Sequence, residues 1–128
     1  MSEPKFLSAE QVEFLHGLAL KHHGGQPGVR DRAGFEATVL QPRNVYEYGS
    51  GDLFDVAAAY AFHLAQSQAF IDGNKRTGMA AALVFLRLNG VTIPRATDEL
   101  HAAMIGFAER RFDKPQLAAL FRRLASAR

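Results

Sequence analysis

Residues 52–90 read DLFDVAAAYAFHLAQSQAFIDGNKRTGMAAALVFLRLNG, two long apolar stretches joined by a short polar loop. Both stretches read as core helices. Asp52 is placed to cap the first, whose alanines and aromatics leave few polar positions, as on a helix buried on most sides. The second runs from about Asn74 to Leu88, with Gly90 as its expected C-cap. The loop, QAFIDGNKRTG at 68–78, puts Lys75 and Arg76 in the first turn of that second helix. A helix start is already positive, because its first N–H groups are unpaired and the macrodipole points that way. Two cations there repel the helix and each other unless an anion sits with them.

Working outward, Ser8 caps an expected helix over roughly 9–23, with Val12, Leu15, Leu18 and Ala19 as its apolar stripe. His22 and His23 end it before Gly24 and Gly25; adjacent histidines point to different sides of a helix, which argues against a metal pair. GGQPGVRD at 24–31 reads as a turn-rich linker, and RAGFEATVL at 32–40 as a short second helix closed by Pro42. In QPRNVYEYGSGD at 41–52, Val45, Tyr46 and Tyr48 lie between breakers and suggest a small hairpin or flap. Towards the C-terminus, VTI at 91–93 is a short extended piece before Pro94. Thr97 caps a fifth helix with Leu100, Met104, Ile105, Phe107 and Ala108 as its inner face. Asp113 caps a sixth, with Gln116 in capping-box position and Leu117, Leu120, Phe121 and Leu124 on one face. The sum is an all-α single domain over 1–128, a compact bundle of about six helices with room for one small β flap.

Composition narrows the function. The chain has 128 residues, enough for one domain with a real core, and 48% hydrophobic residues, which is ordinary for a globular protein. Cysteine is absent, so there is neither a disulfide frame nor a thiolate zinc site, which suits a cytoplasmic location. The start, MSEPKFLSAEQ, lacks a basic-then-apolar leader, and no apolar run approaches the ~18 residues of a membrane span. Net charge is +2, and Arg110, Arg111, Arg122, Arg123 and Arg128 read as solvated helix faces rather than a nucleic-acid patch.

The chemistry concentrates at 68–78. Gly73 allows a tight turn and close backbone approach, and the amides near Asn74 to Thr77 point out of the helix start, an arrangement that binds anions. A phosphate there would relieve the Lys75 and Arg76 repulsion. Asp72 can bind Mg²⁺, which commonly takes one or two carboxylates plus phosphate oxygens. Phe70 is expected to point inward and pin the loop. Taken on spacing alone, the same residues also read as a plain turn and cap with two exposed cations.

The stretch AFIDGNKRT, set between the two apolar helices, resembles the signature of the Fic/Doc family in its death-on-curing (Doc) branch, H-x-F-x-[DN]-x-N-K-R. Phe70, Asp72, Asn74, Lys75 and Arg76 match it, and GVRDRAGFEATVLQPR at 28–43 is similar to a segment upstream of the motif. The resemblance covers about residues 24–94 and implies a compact helical fold that transfers part of a nucleoside triphosphate to a protein hydroxyl. The commoner Fic branch carries glycine where Lys75 stands and a second arginine where Met79 stands, and transfers AMP. The Doc branch moves the γ-phosphate of ATP to a threonine of elongation factor Tu and halts translation. Carried over, Asp72 would hold Mg²⁺. Gly73, Asn74, Lys75, Arg76 and Thr77 would cradle phosphates, Asp72 and Arg76 would serve the transfer, and the stretch around Tyr46 would seat the target. The implied partners are elongation factor Tu and a cognate antitoxin, with nucleic acid engaged only through the antitoxin.

The pattern's first residue is a histidine, and this chain has Gln68 there. A carboxamide orients a hydroxyl but does not take its proton, and losing a positioned base costs ~10²–10⁴-fold. His63 is five residues back, about 140° round the helix, and should face elsewhere. His16 and His101 are on distant elements. The expectation is a Doc-like scaffold with impaired transfer. The glutamine is natural in a binding module for nucleotide or antitoxin, an introduced change in a toxin, or sufficient for chemistry that needs little base.

Overall fold

The computed structural model describes residues 3–49, 51–93, 98–108 and 113–126. Six helices follow in order: α1 Ala9–His23, α2 Arg32–Gly49, α3 Leu53–Ser67, α4 Asn74–Leu88, α5 Asp98–Ala108 and α6 Lys114–Ser126. Among the described residues there is no strand, only one isolated antiparallel bridge between Val29 and Phe70. No helix among them is long and apolar enough to cross a membrane.

The helix starts follow their caps. Ser8 and Gln11 exchange side-chain and backbone bonds at α1, Asp52 and Asp55 do so at α3, and Asp113 and Gln116 at α6. α3 is the central element, packed against α2, α4, α5 and α6. Its residues 56–61 and Leu64 are all buried, as its near lack of polar positions requires. α4 lies closest along it. At Gly78 an added Cβ would come within 2.7 Å of the Ala61 carbonyl oxygen, so the two backbones meet where only glycine leaves room.

Several expectations change. α2 does not stop at Pro42 and no flap follows; one helix continues to Gly49 with Pro42 inside it. Phe35, Val39 and Pro42 are buried at helical spacing, and Tyr46 continues that line edge-on against Phe6 at 6.0 Å. Proline in a helix costs about 3 kcal/mol. Burying each large apolar side chain returns about 1.5–3 kcal/mol, so the stripe as a whole outweighs the breaker. Tyr48, at the exposed end, reaches no core.

On α1 the buried residues are Val12 and His16, whereas Leu18 is 38% exposed. On α5, Leu100 and Ala103 face inward while Ile105 is exposed; it lies about 140° from Leu100. Gly90 ends α4 as expected: it follows the C-cap residue Asn89 at φ 86°, its amide donates to the Arg87 carbonyl and that of Val91 to the Leu86 carbonyl. The Thr97 cap, Arg110, Arg111 and Arg128 lie outside the described residues, as do the side chains of His101, Met104, Phe107 and Ala108.

Candidate functional site

Ser67 closes α3: its Oγ donates to the Leu64 carbonyl and accepts from the Ala69 amide. Gln68 is the C-cap residue and takes the left-handed conformation, φ 51° and ψ 39°, with its side chain exposed. Among the described residues it is the one non-glycine with positive φ. The chain then dips inward. Phe70 is fully buried, 5.0 Å from the Phe35 ring centroid and stacked on His16 at 3.7 Å with the planes 6° apart. The inward pin expected of Phe70 is present. Ile71 and Asp72 return to the surface, Gly73 turns at φ 81°, and α4 begins.

The start of α4 differs from those of α1, α3 and α6. No side chain caps it, and its first turn, like that of α6, holds no acid. Lys75 and Arg76 are exposed and, among the described residues, have no ion-pair partner. The unpaired first-turn amides and two cations therefore face the same solvent, a concentrated positive surface for an oxyanion. Asp72 stands before them with one carboxylate oxygen, Oδ2, accepting from the Gln26 amide at 2.9 Å. Among the described residues no three His, Asp or Glu side chains gather to hold a metal. Asp72 is thus a lone carboxylate that fits Mg²⁺ only in the mode where phosphate oxygens and water complete the shell.

Two expected cradle residues do other work. The Asn74 side chain is spent on the loop itself: Oδ1 accepts from the Phe70 amide at 3.0 Å and Nδ2 donates to the Phe70 carbonyl at 2.9 Å. It shapes the turn and can offer a ligand only its backbone. Thr77 is 0% exposed, its amide donates to the Gly73 carbonyl, and its buried Oγ1 has no partner. Neither group reaches a surface ligand, so Thr77 leaves the expected phosphate set.

The segment read as a linker forms the wall of this loop. Arg30 N–H donates to the Ala69 carbonyl at 2.7 Å, and Ile71 N–H donates to the Gly28 carbonyl at 3.1 Å. With the Gln26 contact, residues 26–30 run antiparallel to 69–72 as a strap. His16 contributes from below, its Nε2 2.7 Å from the Asp72 carbonyl oxygen. The sequence signal for it is its place four residues after Val12 on the buried line of α1.

His63 is on α3 beside α6. Burial pushes its pKa below the ordinary histidine value, and the Lys114 ammonium, 3.3 Å from Nε2, pushes it further down. It is a half-buried boundary residue, as expected, with its Nε2 turned to Lys114 of α6. A cleft between α5 and α6, with Ala103, Gly106 and Leu120 on its walls, includes no motif residue.

Comparison with known proteins gives the family. The Fic/DOC family model matches residues 6–86. A protein named "Protein kinase doc" from Escherichia phage P1 is 36% identical over 122 residues, covering 94% of this chain and 95% of that protein. "Toxin Doc" of Mycolicibacterium smegmatis is 38% identical over 127 residues, covering 96% of this chain and 95% of that one. The matched span takes in α1 to most of α4, and with it the strap, the buried histidine and the motif loop, so this chain belongs to the Fic/DOC family.

Proposed function

We propose that this chain is a Doc-type toxin, a transferase that delivers the γ-phosphate of ATP to a threonine of elongation factor Tu and so stops translation. The observation that carries the reading is the start of α4, uncapped and acid-free, with Lys75 and Arg76 exposed beside Asp72 and, among the described residues, without ion-pair partners. The names of the two relatives support it. Lys75, Arg76 and the first-turn amides grip the triphosphate, and Asn74 keeps the turn in shape. Asp72 would hold the Mg²⁺ that accompanies the nucleotide, and the ion would supply charge neutralisation for the phosphates. The target hydroxyl oxygen bonds to the γ-phosphorus, the bond to the bridging oxygen breaks, ADP leaves and the hydroxyl proton passes to solvent. Such transfer rests mainly on positioning and charge.

Gln68 lies where the hydroxyl would approach. It can hold that hydroxyl but has no proton-accepting pKa, so transfer is slowed by ~10²–10⁴-fold. Neither His63 nor His16 replaces the missing base. One is tied to Lys114, the other is buried with Nε2 on a carbonyl. Met79 is buried on α4, so the position where AMP-transferring relatives would carry a second arginine holds no cation. In the cell the toxin sits in the cytoplasm with a cognate antitoxin, and reaches nucleic acid only through that partner.

A second reading is favoured by Gln68 itself: a binding module that keeps the nucleotide site without transfer. One experiment separates them. The chain and its Gln68→His variant are incubated with Mg²⁺, elongation factor Tu and ATP labelled at the α or γ position. γ-Label on the target from the histidine variant, and far less from the parent, is the expected result. α-Label would replace phosphate transfer with AMP transfer. No label from either, with nucleotide binding retained, would establish the binding module.

A further inference from the structure

His16 is on α1, 56 residues away from the Asp72 carbonyl it touches. Its ring is only 6% exposed and lies flat on Phe70, the residue that pins the motif loop. A Cβ built at Gly73 would sit 3.5 Å from His16 Cδ2 and 3.6 Å from Nε2, so the ring also forms the floor under the turn into α4. One side chain therefore meets three consecutive parts of the loop: the inward pin, the acidic residue's backbone, and the glycine turn.

The partner atom fixes the chemistry. A carbonyl oxygen only accepts, so the 2.7 Å contact places a proton on Nε2. No other hydrogen bond is made to this carbonyl by a side chain among the described residues. The Asp72 carboxylate is steadied separately, by the Gln26 amide of the strap. The backbone of Asp72 is thus held from α1 and its side chain from the connector after α1, and the two contacts together fix where the remaining carboxylate oxygen points.

We propose that His16 is a positioning residue for the motif loop: through its Nε2–H on the Asp72 carbonyl and its stack on Phe70, it sets Asp72 and Gly73 in the orientation that nucleotide and metal need. It touches neither substrate nor metal. The ligand part of this proposal rests on the nucleotide-binding reading above; the loop part does not.

Two variants split the contact. His16→Phe keeps a ring on Phe70 and removes the donor. His16→Gln returns an N–H donor near the position of Nε2. Backbone hydrogen exchange is followed at Gln26 and Ile71, the amides that clasp the loop, and binding of a fluorescent ATP analogue is followed with and without Mg²⁺. Expected for His16→Phe is faster exchange at those two amides with α3 and α4 interior amides unchanged. Affinity should weaken about three- to tenfold with Mg²⁺ present, the scale of one hydrogen bond, and His16→Gln should recover most of both effects. Parent-like exchange in His16→Phe, or a rise spread evenly over α1 to α4, overturns the proposal, as does a lack of recovery in His16→Gln.

If His16→Phe does not fold, the parent protein still decides. Imidazole ¹⁵N NMR should find the proton on Nε2 and slow to exchange, and a proton on Nδ1 instead overturns the assignment. Failure of the parent to bind the Mg²⁺–nucleotide at all would sink the functional reading and leave the exchange and NMR results to judge His16.

Discussion

Gln68 carries two demands that pull on one side chain. Its backbone is left-handed, which costs an L-residue roughly 1–2 kcal/mol, and its exposed side chain holds the first position of the motif. Glycine would relieve the first demand and forfeit part of the gain to unfolded-chain entropy, about 0.5–1 kcal/mol. Gln68→Gly should therefore raise stability by about 0.5–1 kcal/mol, read from the urea midpoint. Histidine tolerates this conformation better than most residues. Gln68→His should keep the midpoint within about 0.5 kcal/mol of the parent, so that any labelling it restores reports chemistry and not folding. Tyr60 offers a test at high pH. Its hydroxyl accepts from the Leu7 amide at 2.8 Å, and burial pushes its pKa from 10.0 up to about 12, against the opposing Leu7 hydrogen bond and Arg43 charge. The folded protein keeps the phenolic proton after the unfolded chain has lost it. Stability is then whole below pH 10 and falls as pH climbs from 10 to about 12, by about 3 kcal/mol. Urea midpoints across that range should show the slope, and Tyr60→Phe should lack it.

The pairing of α3 with α4 decides whether the loop between them has a fixed base. Gly78→Ala sets two effects against each other. Alanine favours a helix by about 1 kcal/mol. Against that, its Cβ would meet the Ala61 carbonyl at 2.7 Å, a backbone atom that cannot swing aside. Overpacking of this kind costs about 1–3 kcal/mol, so the variant should lose up to about 2 kcal/mol in a urea titration, and a gain of about 1 kcal/mol would show that the helices can part without cost. Elements with an unbroken apolar period were legible in the sequence: α1, α3 and α6 begin at the caps Ser8, Asp52 and Asp113, and α4 begins at Asn74, after the Gly73 turn. α2 was not, because proline, tyrosines and glycine are local signals for a break. The stripe from Phe35 to Tyr46 overrides them only once a core exists to receive it. Ile105 was misplaced for a related reason, since an apolar residue reads as inward whatever its angle.

Across the whole molecule, the half of the site that was legible is the half made of consecutive residues. Lys75, Arg76 and Asp72 are exposed where the motif puts them, and Phe70 is buried as expected. What could not be read is what the fold brings from afar, namely His16 and the strap at 26–30, along with the inward turn of Asn74 and Thr77. A polar side chain in a polar loop gives no local sign of whether it will face a ligand or its own backbone. The assembled site makes a prediction for the whole protein. Mg²⁺–ATP at a hundredfold excess over its Kd should stabilise the fold by about 2.7 kcal/mol, seen as a higher melting temperature. Arg76→Ala, or chelation of the metal, should remove most of that shift. The strap has a consequence for engineering. Transplanting stretch 68–78 onto another helical hairpin would move the cations and the carboxylate but leave behind the backbone that runs alongside them. The grafted peptide would arrive as a floppy, weakly charged hook, and recovering its grip would require carrying over the helix pair that precedes it.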